Sequence, residues 1–265
     1  MRTILLLIAI VGFVKGNAQD RVFNYTYQSG VLNKGQKEIE IWSTLASGRA
    51  EFYRNIKHRM EFEVGLGGKI QTSFYLNYSY GKSVGEENGF QSLKNDTKYS
   101  FSNEWKLKLS DPVANRIGSA LYFEYTLAPE ETEFEGTIIL DKQIGNFTQA
   151  YNLVGEFELG KKFTPYGTRL KTENEREITV ELNYGLSYRI KNNLSVGLEA
   201  MNQNQIAESE WENSVLTFGP CISYSTNGFW VNLTVMPQIA NLKGGGLELN
   251  EHEKLQTRLI FSYVF

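Results

Sequence analysis

One cysteine, five prolines and two histidines are all that 265 residues provide of the residue types that staple, kink or catalyse. With Cys221 alone, no disulfide can form within the chain, although secreted soluble domains often carry them. His58 and His252 are the only imidazoles available for acid–base work. Beyond the first residues no apolar run approaches the ~20 residues of a spanning helix. Charge is nearly balanced, with 30 acidic against 27 basic side chains and a formal charge of −3. That balance excludes the basic footprint of a nucleic-acid binder.

What is present begins with a leader. Arg2 precedes an apolar run at 4–14 (ILLLIAIVGFV), and Gly16-Asn17-Ala18 follows as small-residue cleavage chemistry. Residues 1–18 are expected to be a cleaved signal peptide, and export is expected. Arg2 and Lys15 leave with it, taking the formal charge from −3 to −5. Aromatics make up 13%, with 15 Tyr and 16 Phe, while mean hydropathy is only −0.35. Aromatic and glycine richness at low mean hydropathy fits strands whose lipid-facing and lumen-facing residues alternate.

The alternation is explicit. Ile178, Val180, Leu182, Tyr184, Leu186, Tyr188 and Ile190 form one face, and Thr179, Glu181, Asn183, Gly185, Ser187 and Arg189 the other. Thirteen residues in register exceed a globular strand and the ~9–11 needed to cross hydrocarbon on a tilt. The same pattern predicts twelve strands, at about 37–45, 58–66, 70–81, 96–109, 117–127, 132–141, 147–158, 176–190, 194–204, 213–225, 229–241 and 252–265. Short turns at 67–69, 110–116, 142–146, 191–193 and 226–228 interleave with mostly longer loops. That parity predicts a transmembrane antiparallel up-and-down β-barrel of about twelve strands, with both termini periplasmic. A missed or merged hairpin, the weakest connection being 128–131, would give ten or fourteen. A soluble β-sandwich is the competing fold, but its strands are shorter. Residues 19–36 do not alternate cleanly and are expected to form a periplasmic lead-in or a partial plug, ahead of a barrel spanning 37–265.

The chain ends on LQTRLIFSYVF. This ending resembles the terminal signal of bacterial outer-membrane barrels, with Leu259, Phe261, Tyr263 and Phe265 as the residues the insertion machinery would read. Tyr78, Tyr80, Tyr125, Tyr188, Tyr224, Tyr263 and Phe265 are expected at the water–lipid boundary.

On this register the charged residues must face the lumen or sit at the rims, because a charge at the lipid midplane costs roughly 2–4 kcal/mol. The principal lumen candidates are Glu61, Glu63, Glu104, Lys106, Lys108, Glu124, Glu156, Glu181, Arg189, Glu199 and Arg258; Glu38, Glu40, Lys98, Glu135 and Glu158 share their parity. Most are expected to pair across a narrow interior; the alternative is an acidic, water-filled path favouring cations.

Catalysis and metal binding find little support. No Ser follows His58 at the spacing of the barrel phospholipase motif (His-x-Ser-Asn). His252 is flanked by Glu251 and Glu253, which should raise its basicity but bring no nucleophile. The acidic stretch APEETEFEG, carrying Glu130, Glu131, Glu133 and Glu135, lacks the ligand order of a dedicated calcium loop. Gly244-Gly245-Gly246 lacks the strand-to-helix context of a phosphate cradle. Neither an enzyme nor a cofactor or metal protein is expected.

Residues 37–80, KEIEIWSTLASGR followed by MEFEVGLGGKIQTSFYLNY, resemble the outer-membrane barrels of the phenol-degradation MetA-pathway family and their uncharacterised relatives. The likeness covers the first two hairpins. It implies a transporter of small, often hydrophobic compounds and supplies no residue set for a binding site. Together these features predict a monomeric barrel in the outer membrane of a Gram-negative bacterium, in contact with lipid and lipopolysaccharide. Its expected role is passive passage of small molecules; a closed barrel acting through its outer loops is the alternative.

Overall fold

In a computed structural model, which describes residues 21–87, 90–166, 169–207 and 210–265, the chain is all-β. Twelve strands follow in order: β1 (Lys37–Ser47), β2 (Tyr53–Gly67), β3 (Ile70–Glu87), β4 (Phe90–Ser110), β5 (Gly118–Leu127), β6 (Glu131–Ile144), β7 (Phe147–Tyr166), β8 (Arg169–Lys191), β9 (Leu194–Ala207), β10 (Glu210–Thr226), β11 (Phe229–Asn241) and β12 (Leu255–Val264). Each pairs antiparallel with its sequence neighbours, and β1 closes on β12. Closure leaves no strand edge unpaired.

The closing seam explains how a chain can stop in mid-strand. Glu38 stands opposite Val264, and Lys37 and Phe265 exchange backbone N–H···O bonds of 2.9 and 2.8 Å. The backbone of the last residue is therefore satisfied. Leu259, Phe261 and Phe265 point outward and are exposed, with Tyr263 half-buried among them.

The outer face is apolar along most of the wall. Ile41, Phe74, Leu121, Leu153, Leu182 and Phe218 are each more than 40% exposed, an arrangement that suits lipid and not water. Tyr78, Tyr80, Tyr188 and Tyr224 are also exposed outward.

The strands are longer than the alternation indicates. β3 and β4 pair as far as Glu87 opposite Phe90, and β7 and β8 as far as Tyr166 opposite Arg169. The expected loops at 82–95 and 159–175 are thus mostly strand. At their far ends apolar residues such as Phe90, Leu93 and Phe163 are few and out of period, so the ladder continues where the apolar period has stopped. All of this excess lies away from the chain termini, at what we call the loop end; the opposite half is the terminal half. The last strand begins at Leu255, and His252 lies in the preceding loop.

Candidate functional site in the lumen

The interior is occupied by the chain itself. Residues 21–36 precede β1 without regular secondary structure; residues 21–32 lie within the barrel, and Asn33, Lys34 and Gly35 are exposed at its rim, where the wall begins. Their aromatic residues build the core. Phe23 packs with Ala150 and Cys221, and Tyr25 with Met201 and Met236. Tyr27 lies against both the Trp42–Trp230–Ile260 and the Ala120–Tyr122–Ile139 groups, stacked on Tyr122 at 5.1 Å. Burying each such ring contributes roughly 1.5–3 kcal/mol.

The backbone of this segment is held by side chains from around the wall. Glu199 on β9 accepts the amides of Asn24 (2.9 Å), Tyr25 (2.7 Å) and Thr26 (2.9 Å), and the Thr234 hydroxyl at 2.7 Å. Asn152 on β7 both accepts from Tyr27 N and donates to Tyr27 O. Asp141 on β6 accepts from Ser29 N, and Gln71 on β3 accepts from Leu32 N. Asn232 on β11 donates to Arg21 O. Buried backbone groups need such partners when no ladder supplies them.

Two glycines make room for the segment. A Cβ at Gly185 would meet the Phe23 ring at 2.8 Å, and one at Gly65 would meet Asn33 O at 2.1 Å. Arg21 is buried at the start, between the rings of Tyr27 and Trp42 at 4.7 and 4.6 Å. It bonds Phe23 O and Asn24 O and faces Glu40 at 3.6 Å.

Cavities lie to either side of these residues. One of about 210 Å³ in the terminal half is lined by Val22, Gln28, Lys108, Asp141 and Arg189, among others. One of about 380 Å³ in the loop half is lined by Asn24, Tyr25, Glu156, Glu181 and Arg258, among others. A third, about 350 Å³ and also in the loop half, places Glu124, Glu131, Glu133, Glu135 and Glu156 opposite Lys57, Arg59 and Lys98.

All eleven charged residues singled out by parity stand on the inward side. Glu61, Glu63, Glu104, Lys106, Glu124 and Glu199 are buried, and Lys108, Glu156, Glu181, Arg189 and Arg258 are half-buried. Pairing between non-adjacent strands, expected for most of them, is found among the described residues for Glu124 alone. Glu124 pairs with Arg59 at 2.6 Å and Lys108 with the turn residue Asp111 at 2.7 Å. The others described here meet neutral donors and acceptors. Glu63 accepts from Gln71, Glu104 from the Tyr75 hydroxyl, and Glu199 from backbone. Arg258 bonds Thr44 Oγ1 and Asn24 O. Residues 21–32 occupy the space that pairing across the lumen would need. Arg21, Arg59 and the aromatic trio were not singled out from sequence, although Arg59 shares the parity of Glu61 and Glu63, and Phe23, Tyr25 and Tyr27 alternate.

The histidines also differ from expectation. Burial holds the His252 imidazole below its ordinary range, outweighing the opposite pull of Glu253, Glu248 and Glu251. His58 Nδ1 lies 3.0 Å from Ser43 Oγ on the outward face. That pair has no orienting carboxylate among its described hydrogen bonds, and the neighbouring strand amides are committed to the ladder.

Fold and lumen together define an outer-membrane type of β-barrel whose interior holds its own N-terminal segment. The chain belongs to a family of unknown function (DUF6662), whose sequence profile matches residues 15–265. No curated protein matches it in sequence. Among solved structures it is similar to the COG4313 outer membrane channel from Pseudomonas putida F1, with a TM-score of 0.62 at 9% identity, covering 92% of this chain and 100% of that one. It is also similar to the β domain of the Bordetella autotransporter BrkA (TM-score 0.56, 9% identity, 88% and 100% covered). A third similar structure is the NanC porin (0.53, 8%, 85% and 98%). At these identities the likeness is one of fold.

Proposed function

We propose that this protein is an outer-membrane channel for small molecules, closed in its terminal half by residues 21–32 and entered through the acidic cavities of its loop half. The observation that carries the reading is the placement of wide, polar, charge-lined cavities on both sides of a segment that is not part of the wall. An acidic excess along β6 to β8 favours cations or cationic polar solutes at the entrance. Cleavage after Ala18 would leave the docked segment intact, and the terminal half would face the periplasm. The outward Leu259, Phe261, Tyr263 and Phe265 would serve the insertion machinery, and a single copy would stand in lipid and lipopolysaccharide. The MetA-pathway likeness of the first two hairpins agrees with small-molecule passage.

The density of anchoring around residues 21–32 favours a second reading, a closed barrel that works through its outer loops. Conductance in planar bilayers separates the two. The whole mature chain should show low or flickering conductance, and removal of residues 21–32 should raise it severalfold. A variant without these residues that folds yet conducts nothing would favour the closed barrel.

A further inference from the structure

The terminal half holds a group of side chains that the channel reading does not use. On β1 and β2 four inward glutamates form two directly opposed pairs, Glu38 with Glu63 and Glu40 with Glu61. None is more than 7% exposed. Like charges opposite each other on neighbouring strands repel, and a buried charge without a partner costs more still.

Cations nearby do not make up the difference. A cavity of about 20 Å³ is lined by Glu38, Glu40, Glu61, Glu63 and Glu104 on the acidic side, against Arg21 and Lys106. That volume suits one water-sized particle.

Three of the carboxylates are oriented from behind. Glu38 accepts from Trp230 Nε1 at 2.8 Å and from the Ser262 hydroxyl. Glu40 accepts from Trp42 Nε1 at 2.6 Å, and Glu63 from Gln71 Nε2 at 2.8 Å. One oxygen from each of Glu38, Glu40 and Glu63 lies within 4.8 Å of the others. Supporting bonds of this kind hold metal-binding carboxylates in place.

Glu61 completes the picture. It lines the same cavity and is 2% exposed, yet neither of its oxygens receives a hydrogen bond: the adjacent Tyr75 hydroxyl donates to Glu104, and its other close neighbour, Glu63, is itself a carboxylate. Two buried acceptors left open beside three converging carboxylates call for a positive guest.

We propose that this cavity is a divalent-cation site with Glu38, Glu40, Glu61 and Glu63 as its oxygen ligands, suited to calcium. A purely oxygen donor set selects hard cations. Four carboxylates can offer the six to eight oxygens that calcium takes, whereas magnesium keeps several waters and seldom fills an all-protein cage. A bound ion would tie β1 to β2 beside the closing seam and stand next to Arg21. The site does not depend on whether the barrel conducts.

The test uses the whole mature barrel in detergent, stripped with a chelator and titrated with terbium, its emission excited through Trp42 and Trp230. The expected result is one saturable site, displaced by calcium more readily than by magnesium. Glu61→Gln should weaken it at least about tenfold, since affinity follows ligand charge. Glu63→Gln is a second variant, and heat-modifiable gel mobility reports folding of both. Glu212→Gln, exposed on β10, should leave binding unchanged, and Glu133→Gln with Glu156→Gln tests the second three-carboxylate group, in the loop half. On the unaltered protein, chelation should lower the melting temperature and calcium should restore it. The proposal is overturned by a melting temperature indifferent to chelator and calcium, or by no saturable terbium binding. Binding that survives Glu61→Gln and Glu63→Gln but is lost in the loop-half variant would overturn it as well.

Discussion

Glutamates crowd both halves of the lumen, but their surroundings differ. In the terminal half Glu38, Glu40, Glu63 and Glu199 are buried, and each is met by an indole, amide or backbone N–H. In the loop half Glu131, Glu133, Glu135, Glu156 and Glu158 are half-buried and line cavities of about 350 to 510 Å³. Strand alternation places both sets inward. The N-terminal segment then decides which carboxylates become fixed parts of a dry core and which stay in contact with water. A carboxylate in the first set carries structure; one in the second faces open, polar space.

The largest effect should come from breaking the terminal half. Glu199→Ala removes the acceptor of three buried amides and one hydroxyl, and should weaken docking of residues 21–32 by about 2–4 kcal/mol. Limited proteolysis should then cut within 21–36 while the barrel stays intact, and Glu199→Gln should fall between. Unchanged protection in the alanine variant would place the anchoring elsewhere.

A smaller effect is expected from the loop half. Glu133→Gln with Glu156→Gln should leave the melting temperature nearly unchanged. In the chain lacking residues 21–32 it should shift the reversal potential under a salt gradient toward neutrality. A strong loss of stability would show these carboxylates to be structural after all.

The smallest effect concerns acid. At the loop end Glu248 is opposed by burial, but the amides of Glu251, Asn250 and His252 hold its carboxyl below the ordinary range. At the terminal end the Lys108 ammonium, with the amides of Ala114 and Val113, does the same for Asp111. Both folded values lie below the unfolded ones, so each contribution is complete above about pH 4–5 and is lost as pH falls through the folded value. Amide exchange at 113–114, whose N–H groups donate to Asp111, should therefore be flat from neutrality to pH 5 once its intrinsic pH dependence is divided out, and rise only in stronger acid. A rise between pH 7 and 6 would contradict this.

The twelve strands and their parity were legible because alternation is a local property imposed by lipid on one side. At 90–97 (FQSLKNDT) Phe90 and Leu93 are the only apolar residues and fall on opposite faces, so the pattern that marks a strand disappears, although pairing continues. The inward position of Glu61 or Glu199 followed from parity alone. The partners of Glu199 did not, because they come from Thr234 on β11 and from residues 24–26, which precede the wall. The aromatic residues Phe23, Tyr25 and Tyr27 were the available signal, but they serve a core enclosed by the barrel and not a face of it. His252 shows the same limit: its acidic neighbours were visible in sequence, and its burial was not.

The segment inside the barrel runs directly into β1, whose first residue is bonded to Phe265 across the seam. It is therefore a tethered ligand of its own wall, present at a high effective concentration set by a short connection. Once displaced it cannot diffuse away, and recapture competes only with whatever else occupies the lumen. Any open interval should then be set by the recapture rate, so that a brief vacancy and not a lasting aperture is what the chain's continuity permits.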